Sequence, residues 1–390
     1  MKIAGIIAEY NPLHNGHVYH LQQTRKCTGC DAVIVVMSGS YTQRGEAACL
    51  SKWTRARLAL QCGADAVFEL PTLFAVRTAD AFALGGVALL DALGADLLSF
   101  GCETDDVVLL QKLADLRRQE PPALTEALRD NLDRGLSHAR AWGVAAARLL
   151  GTTPELLHAP NTILGSEYLN ALTKLHSEIT PIIIRRLGSY HDPSLSDHAF
   201  ASASAIRAAR SQDPRTVIGH VPPVTADALL ADPGMHPPDD LILHTLRSMS
   251  ESDIAALPDV TEGLEHRIKR LAAQAFSLEE LLDRVKCKRY THARIRRLTT
   301  HAMLNLTRAM TLAHPLPPYA RLIGMRRDAG PLLKLLKEQS RLPIISDAMH
   351  LSQHPVFQLE CRATDLRALQ CNTPEARRAG AEFIEKFVAV

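Results

Sequence analysis

A chain of 390 residues is longer than one hydrophobic core usually serves, so two domains are expected. Hydrophobic residues make up 46% and charged ones 22%, an ordinary balance for a soluble globular protein. The formal net charge of +2 excludes a wholly basic face, and no stretch reaches the roughly 18–20 apolar residues that a membrane helix needs.

The opening MKIAGIIAEYNP has too short an apolar run for a signal peptide and lacks a small-residue cleavage site, so a cytoplasmic location is expected. Eight cysteines are scattered through apolar or mixed segments without a paired framework. Cys27-x-x-Cys30 stands alone, which predicts reduced thiols and no disulfide-linked partner. Lys2–Ala8, Ala32–Met37, Ala66–Leu70, Asp96–Phe100 and Pro181–Arg185 are short apolar runs bounded by turn residues. They lack the polar alternation of a half-exposed strand, as expected where both faces of a parallel sheet are covered. Helix-period segments lie between them at His17–Lys26, Lys52–Cys62 and Ala79–Leu93. This alternation predicts an α/β fold with a doubly wound parallel sheet, its ligands gathered at the carboxyl ends of the strands near the switch point.

From Asp105 to about His176 the pattern is helical and reads as an insertion. Six prolines between Asp213 and Asp240 mark a domain boundary, giving an α/β domain over 1–215 and a mainly helical one over 216–390. The latter has periodic segments at Asp239–Met249, Leu278–Val285, Thr291–Leu306 and Glu375–Val388.

The strongest chemical signal is Ala8-Glu9-Tyr10-Asn11-Pro12-Leu13-His14-Asn15-Gly16-His17, directly after the first strand. That position opens a helix, where free N–H groups and the positive dipole end suit an anion. Gly16 clears space for a phosphate to approach, and His14 and His17, three apart, share one face of the first turn as two imidazole donors. His14, His17 and His20 also have a spacing that zinc accepts, but no carboxylate stands at HExxH spacing, so no metal site is expected. Further on, Phe200-Ala201-Ser202-Ala203-Ser204-Ala205-Ile206-Arg207 reads as a capped helix start. An arginine in the first helical turn opposes the dipole unless an anion lies there, which makes Arg207 a phosphate-ligand candidate.

HxGH with a late Ser-x-Ile-Arg segment is similar to the adenylyltransferase branch of the HIGH superfamily. More narrowly, the chain resembles the bacterial tRNA(Met) cytidine acetate ligases along nearly its whole length. The resemblance is carried by GIIAEYNPLHNGH (5–17), MSGSYTQRGEA (37–47), KWTR (52–55), GADAVFELP (63–71), FGCE (100–103), NTILGSEYL (161–169), RRLGSYHD (185–192), KRYTHAR (288–294) and YARLIG (319–324). It implies an enzyme that joins acetate to ATP, releasing pyrophosphate, and passes the acetyl group to the wobble cytidine of elongator tRNA(Met) without acetyl-CoA. It also implies that Ile7, Ala8, Glu9, Tyr10, Asn11, Pro12, Leu13, His14, Asn15, Gly16, His17, Val18, Tyr19 and His20 hold ATP. Gly101 is then expected against the nucleoside, Asn161 on a phosphate or ribose oxygen, and Arg185 and Arg186 at a strand end beside the ligand, with His14 and His17 catalytic. Mg²⁺ is expected to accompany ATP without a protein cage of its own.

Leu13 stands where relatives tend to carry phenylalanine, Gly165-Ser166 replaces a more apolar pair, and Cys102 takes a position more often serine. Gln43-Arg44-Gly45-Glu46 is intact, and Arg44 either approaches the anions or pairs with Glu46. A basic cluster of Lys286, Lys288, Arg289, Arg294, Arg296 and Arg297, interleaved with Tyr290 and His292, offers phosphate neutralisation and a stacking face. Under the resemblance, Lys288, Arg289, Tyr290, Arg294 and Arg297 touch the anticodon arm. His191 and Asp192 are candidates for taking the amine proton. A cofactor-type adenylyltransferase sharing HxGH, and an RNA-binding protein using ATP as a structural ligand, are the competing readings.

Overall fold

The computed structural model describes residues 1–186, 200–261, 263–287 and 289–390. The first half of the chain runs β1 (Ile3–Ala8), α1 (Asn15–Thr28), β2 (Ala32–Ser38), α2 (Lys52–Gln61), β3 (Ala66–Leu70), α3 (Thr72–Ala75), α4 (Ala79–Ala92) and β4 (Leu97–Cys102). Helices α5 (Val107–Gln119), α6 (Pro122–Asp133), α7 (His138–Leu150), α8 (Pro154–His158) and α9 (Pro160–Leu175) then precede β5 (Thr180–Arg185) and α10 (Ala203–Gln212). Helices α11 (Pro223–Ala231), α12 (Asp239–Ser248), α13 (Glu251–Ala255), α14 (Leu264–Ala272), α15 (Leu278–Val285), α16 (His292–Leu304) and α17 (Arg308–Ala313) follow. The chain closes with β6 (Ala320–Met325), α18 (Gly330–Gln339), β7 (Ile344–Ile345), α19 (Pro355–Leu369), α20 (Ala381–Ile384) and β8 (Val388–Ala389).

The five apolar runs expected as strands all form strands, with their ends shifted by at most two residues, and pair in parallel in the order β5-β4-β1-β2-β3. They are buried because each face meets a helix layer, which is why they carry no polar alternation. Ile3, Ile34, Phe68 and Leu89 join one apolar layer, and Ile6, Val35, Trp53 and Leu58 the other. The winding reverses about β1, whose neighbours are β2 on one side and β4 on the other. That switch point opens a crevice above the ends of β1 and β4.

The sheet continues past these five strands. β6 pairs antiparallel with β3 and carries β7 and β8 in parallel, so the C-terminal part is not solely helical. ARLIGM is a buried six-residue run after Pro317-Pro318, a strand signal in a segment whose surroundings read as helix. The expected helix Glu375–Val388 is corrected as well. A 3-10 turn at Glu375–Arg377 precedes Gly380 at φ 84°, a left-handed angle that ends any continuous helix, and Val388 is drawn into the sheet beside Gly324. Helices α12 to α16 do build a separate core around Ile242, Leu246, Ile268, Leu282 and Ile295.

One buried ionic cluster ties the two ends of the chain together. Lys52 Nζ lies 2.5 Å from carboxylate oxygens of both Glu69 and Glu382, and Arg321 Nη1 bonds the same two residues at 2.7 and 2.6 Å. Against the cost of burial, the Lys52 and Arg321 charges hold the Glu382 carboxyl down to about 2. Glu360, beside this cluster, is pushed up to about 8 by burial and by Glu69, while it accepts hydrogen bonds from the Thr72 N–H and hydroxyl. Among the described residues no helix is long and apolar enough to cross a membrane, and all eight cysteines are free thiols.

Candidate active site

A cavity of about 540 Å³ lies at the switch point. Its walls include the starts of four helices: Gly16 of α1, Thr78 and Ala79 at α4, Pro160 and Asn161 of α9, and Ser202 to Ser204 at α10. Four positive dipole ends turned on one space favour an anion there.

The loop after β1 is held from below by Arg55, a fully buried guanidinium on α2. It donates to the carbonyls of Glu9 (2.6 Å), Ser38 (3.0 Å) and Gly39, fastening the ends of β1 and β2 together. Tyr10 sits at φ 47°, a left-handed angle uncommon for a residue with a Cβ, and packs its ring edge-on against His17 with centroids 4.9 Å apart. Asn11 Oδ1 accepts from Cys49 N–H at 2.8 Å, so the loop is anchored on both flanks.

The two imidazoles have defined tautomers. His14 is the N-cap of α1, its Nδ1 accepting from Gly16 N–H at 3.1 Å. His17 Nδ1 accepts from His14 N–H at 3.2 Å, and the rings stack with centroids 3.7 Å apart. With both Nδ1 atoms acting as acceptors, each neutral ring carries its proton on Nε2, and both residues line the cavity. Burial, reinforced by the charge of Arg186, pulls His14 down to about 3, and burial with the neighbouring His14 takes His17 well below its ordinary value. Both are therefore neutral donors at pH 7. His20 is different: burial pulls it down to about 4, and its Nε2 is engaged by Ser99 Oγ at 2.9 Å.

These depressed values fix the sign of an acid effect. Unfolded histidines titrate near 6.5, whereas the folded ones stay neutral down to about 4 (His20) and about 3 (His14). The unfolded chain binds more protons in that window, so stability present above pH 6.5 is lost as pH falls through it. Each such histidine steepens the loss by about 1 kcal/mol per pH unit. Urea midpoints between pH 7.5 and 5 should show this slope, and H20N should flatten it.

The remaining expected ligands divide. Ile7, Ala8, Glu9, Tyr10, Asn11, His14, Gly16, His17, Tyr19, His20, Gly101, Asn161, Arg185, Arg186 and Arg207 line the cavity; Pro12, Leu13, Asn15 and Val18 do not. Leu13 is instead fully buried in the apolar layer beneath the loop, and Asn15 Nδ2 donates to the Gly219 carbonyl. Arg207 is the fifth residue of α10, capped by Ser202, and so lies beyond the first turn where the sequence put it. Its guanidinium donates to the Asn11 carbonyl (2.7 Å) and pairs with Glu46 (3.2 Å). Asn161 is the second residue of α9 and donates to Glu103 at 2.7 Å. At Gly101 an added Cβ would lie 3.4 Å from Arg186 Cγ, so the bare glycine leaves that wall of the cavity open.

The structure turns the residues of the basic cluster in different directions. Tyr290 is 6% exposed within the helical core, and Arg294 lies over its ring while bonding the Asp259 carbonyl and Thr261 Oγ1, so neither presents a free face. Arg296 pairs with Glu46. Arg297 turns inward and lines the cavity. Lys286 and Arg289 are exposed; Lys288, His191 and Asp192 lie outside the described residues. Sequence reasoning named Glu46 only as a partner for Arg44 and missed that it bridges Arg207 of α10 and Arg296 of α16; it also missed Phe82, Phe100 and Tyr168, which give the cavity its apolar side.

Residues 1–382 match the family model described as HIGH Nucleotidyl Transferase. The tRNA(Met) cytidine acetate ligase of Caldanaerobacter subterraneus subsp. tengcongensis is 37% identical over 384 residues, covering 95% of each chain. That of Acetivibrio thermocellus is 35% identical over the full length of both. Crystal structures of Thermotoga maritima TmcAL superpose over the whole of both chains: the apo form with a TM-score of 0.90 at 31% identity, and the form bound with alpha-thio ATP with 0.89 at 30%.

Proposed function

This chain belongs to the tRNA(Met) cytidine acetate ligases of the HIGH nucleotidyltransferase family, and from that premise we propose which of its groups carry the two half-reactions. The enzyme is an ATP-dependent ligase that joins acetate to the wobble cytidine of elongator tRNA(Met), giving N4-acetylcytidine. In the first half-reaction an acetate oxygen attacks the α-phosphorus of ATP, forming acetyl-adenylate and releasing pyrophosphate. In the second, the cytidine amine attacks the acetyl carbonyl, AMP leaves, and the amine gives up a proton.

The observation that carries the assignment is the tautomer pair. Two Nε2–H donors, locked by backbone N–H groups on their Nδ1 atoms, line the wall where phosphate must sit. They stabilise charge gathering on phosphate oxygens without reorganising. Arg207, Arg185 and Arg186 add cationic contacts, Gly101 admits the nucleoside, and Asn161 offers its amide to the ribose or a phosphate. Mg²⁺ enters as Mg·ATP, held by phosphate oxygens and water. Acetate is already ionised at pH 7, so the first step needs alignment and no base. Acetate-dependent exchange of labelled pyrophosphate into ATP, followed by mass spectrometry of tRNA nucleosides, tests the reading. Exchange that instead requires a mononucleotide would establish a cofactor-type transferase.

We place ATP and acetate chemistry mainly on residues 1–215 with their helical insertion, and tRNA contact mainly on 216–390, in a cytoplasmic enzyme. Lys286 and Arg289, exposed before α16, supply the RNA contact. Reversing both, K286E with R289E, is expected to weaken tRNA binding roughly tenfold or more at physiological salt and to leave pyrophosphate exchange intact. Filter binding across a salt series measures this, and equal loss of both activities would remove these residues from the RNA surface.

A further inference from the structure

Arg297 is 9% exposed, and among the described residues its guanidinium makes no hydrogen bond and no ion pair; its buried Nε has no partner. It nevertheless lines the cavity. A guanidinium is not deprotonated at neutral pH, so a buried, unpartnered one is costly unless an anion completes it.

Its position is built in. Gly45, at φ 77°, brings the loop between β2 and α2 against α16 so closely that a Cβ there would lie 2.9 Å from Arg297 Cα. Thr300 Oγ1 donates to the Gly45 carbonyl at 2.7 Å, and Glu46 holds Arg296 on the adjoining turn. The charges acting on Arg297 are Asp259 and Arg294, then Asp80 and Arg77, which flank the start of α4; neither carboxylate reaches ion-pair distance. The start of α4 is itself open: Thr78, its N-cap, makes no side-chain capping bond, and Thr78 and Ala79 line the cavity with Phe82 behind them. A buried cation, an uncapped 14-residue helix and an apolar wall therefore meet on one side of the cavity.

We propose that Arg297 receives the carboxylate of acetate, with the amino end of α4 and the Phe82 wall completing the acid subsite. This rests on the acetate-ligase reading. A small carboxylate fits chemically: two oxygens for the guanidinium fork and a methyl for the apolar wall. A polynucleotide backbone cannot enter to a side chain so enclosed, and the imidazoles and Arg207 already furnish the phosphate wall. The C-terminal part thus contributes to the first half-reaction as well as to RNA contact.

Steady-state pyrophosphate exchange by wild type, R297K and R297M, with acetate and ATP varied separately, tests this. R297M should raise the KM for acetate roughly 10- to 100-fold, the loss of a charge-assisted bond, while the KM for ATP and the tRNA affinity hold. R297K should recover part of it. An unchanged acetate KM, an ATP KM that rises in step, or a fall in tRNA affinity alone would each overturn the proposal. Should neither variant fold, a wild-type crystal soaked with an acetyl-adenylate carrying sulfamate in place of phosphate decides. An acyl oxygen on Arg297 supports the subsite, and one elsewhere refutes it. Wild-type exchange that ignores acetate would sink the ligase reading itself, a distinct outcome.

Discussion

Replacing His14 and His17 together with alanine is expected to lower acetate-dependent pyrophosphate exchange by at least about 10³-fold, since one preorganised donor is typically worth about 10²–10³. The two are not independent, because His17 Nδ1 takes the His14 N–H while the rings stack, so the double change should cost less than the product of the single ones. His14 also caps α1, and losing a cap alone destabilises by about 1 kcal/mol. Asparagine is as good a cap, so H14N separates the roles: it should restore the thermal midpoint lost in H14A and leave exchange depressed. An H14N enzyme with near-normal exchange would show that His14 supports the loop and does not touch phosphate.

The largest effect on stability is expected from K52M. It removes one of the two cations shared by Glu69 and Glu382, side chains 1% exposed, and leaves a buried carboxylate without compensation. Breaking a buried pair in this way costs about 3–5 kcal/mol, far above an exposed one. The double variant K52M/E69Q removes one charge of each sign and leaves Arg321 on Glu382, so it should recover part of that loss. Urea unfolding at pH 7 measures both. A double variant weaker than K52M would mean that packing, and not charge balance, holds this cluster.

How much of this was legible beforehand follows from what local pattern encodes. The strands β1 to β5 were readable because burial on both faces leaves unbroken apolar runs such as AVIVVM. ARLIGM is just as apolar at its centre, but it pairs with a strand some 250 residues earlier, and nothing local announces that partner. The HxGH loop was readable as a cavity wall because His14, Gly16 and His17 sit in one contiguous stretch. The placement of Arg297 was not legible for the opposite reason. A run of cations on a helix looks like one solvated face, yet Arg294, Arg296 and Arg297 point to a carbonyl, a carboxylate and a cavity respectively. Helical period gives direction only once the packing around the helix is known. The burial of the Tyr290 ring in the helical core is likewise not visible in the local pattern.

The long reach of the buried cluster bears on synthesis. Lys52 finds Glu69 17 positions later but must await Glu382, 330 positions on. While the ribosome is still at work, the parallel strands can assemble with this ammonium only half matched, and β8 has yet to arrive beside β6. Interrupted translation would therefore release chains holding the HxGH loop but an incompletely balanced interior, good substrates for proteolysis. Arrival of the segment carrying Glu382 and β8, more than formation of the nucleotide crevice, sets the moment at which this enzyme becomes durable.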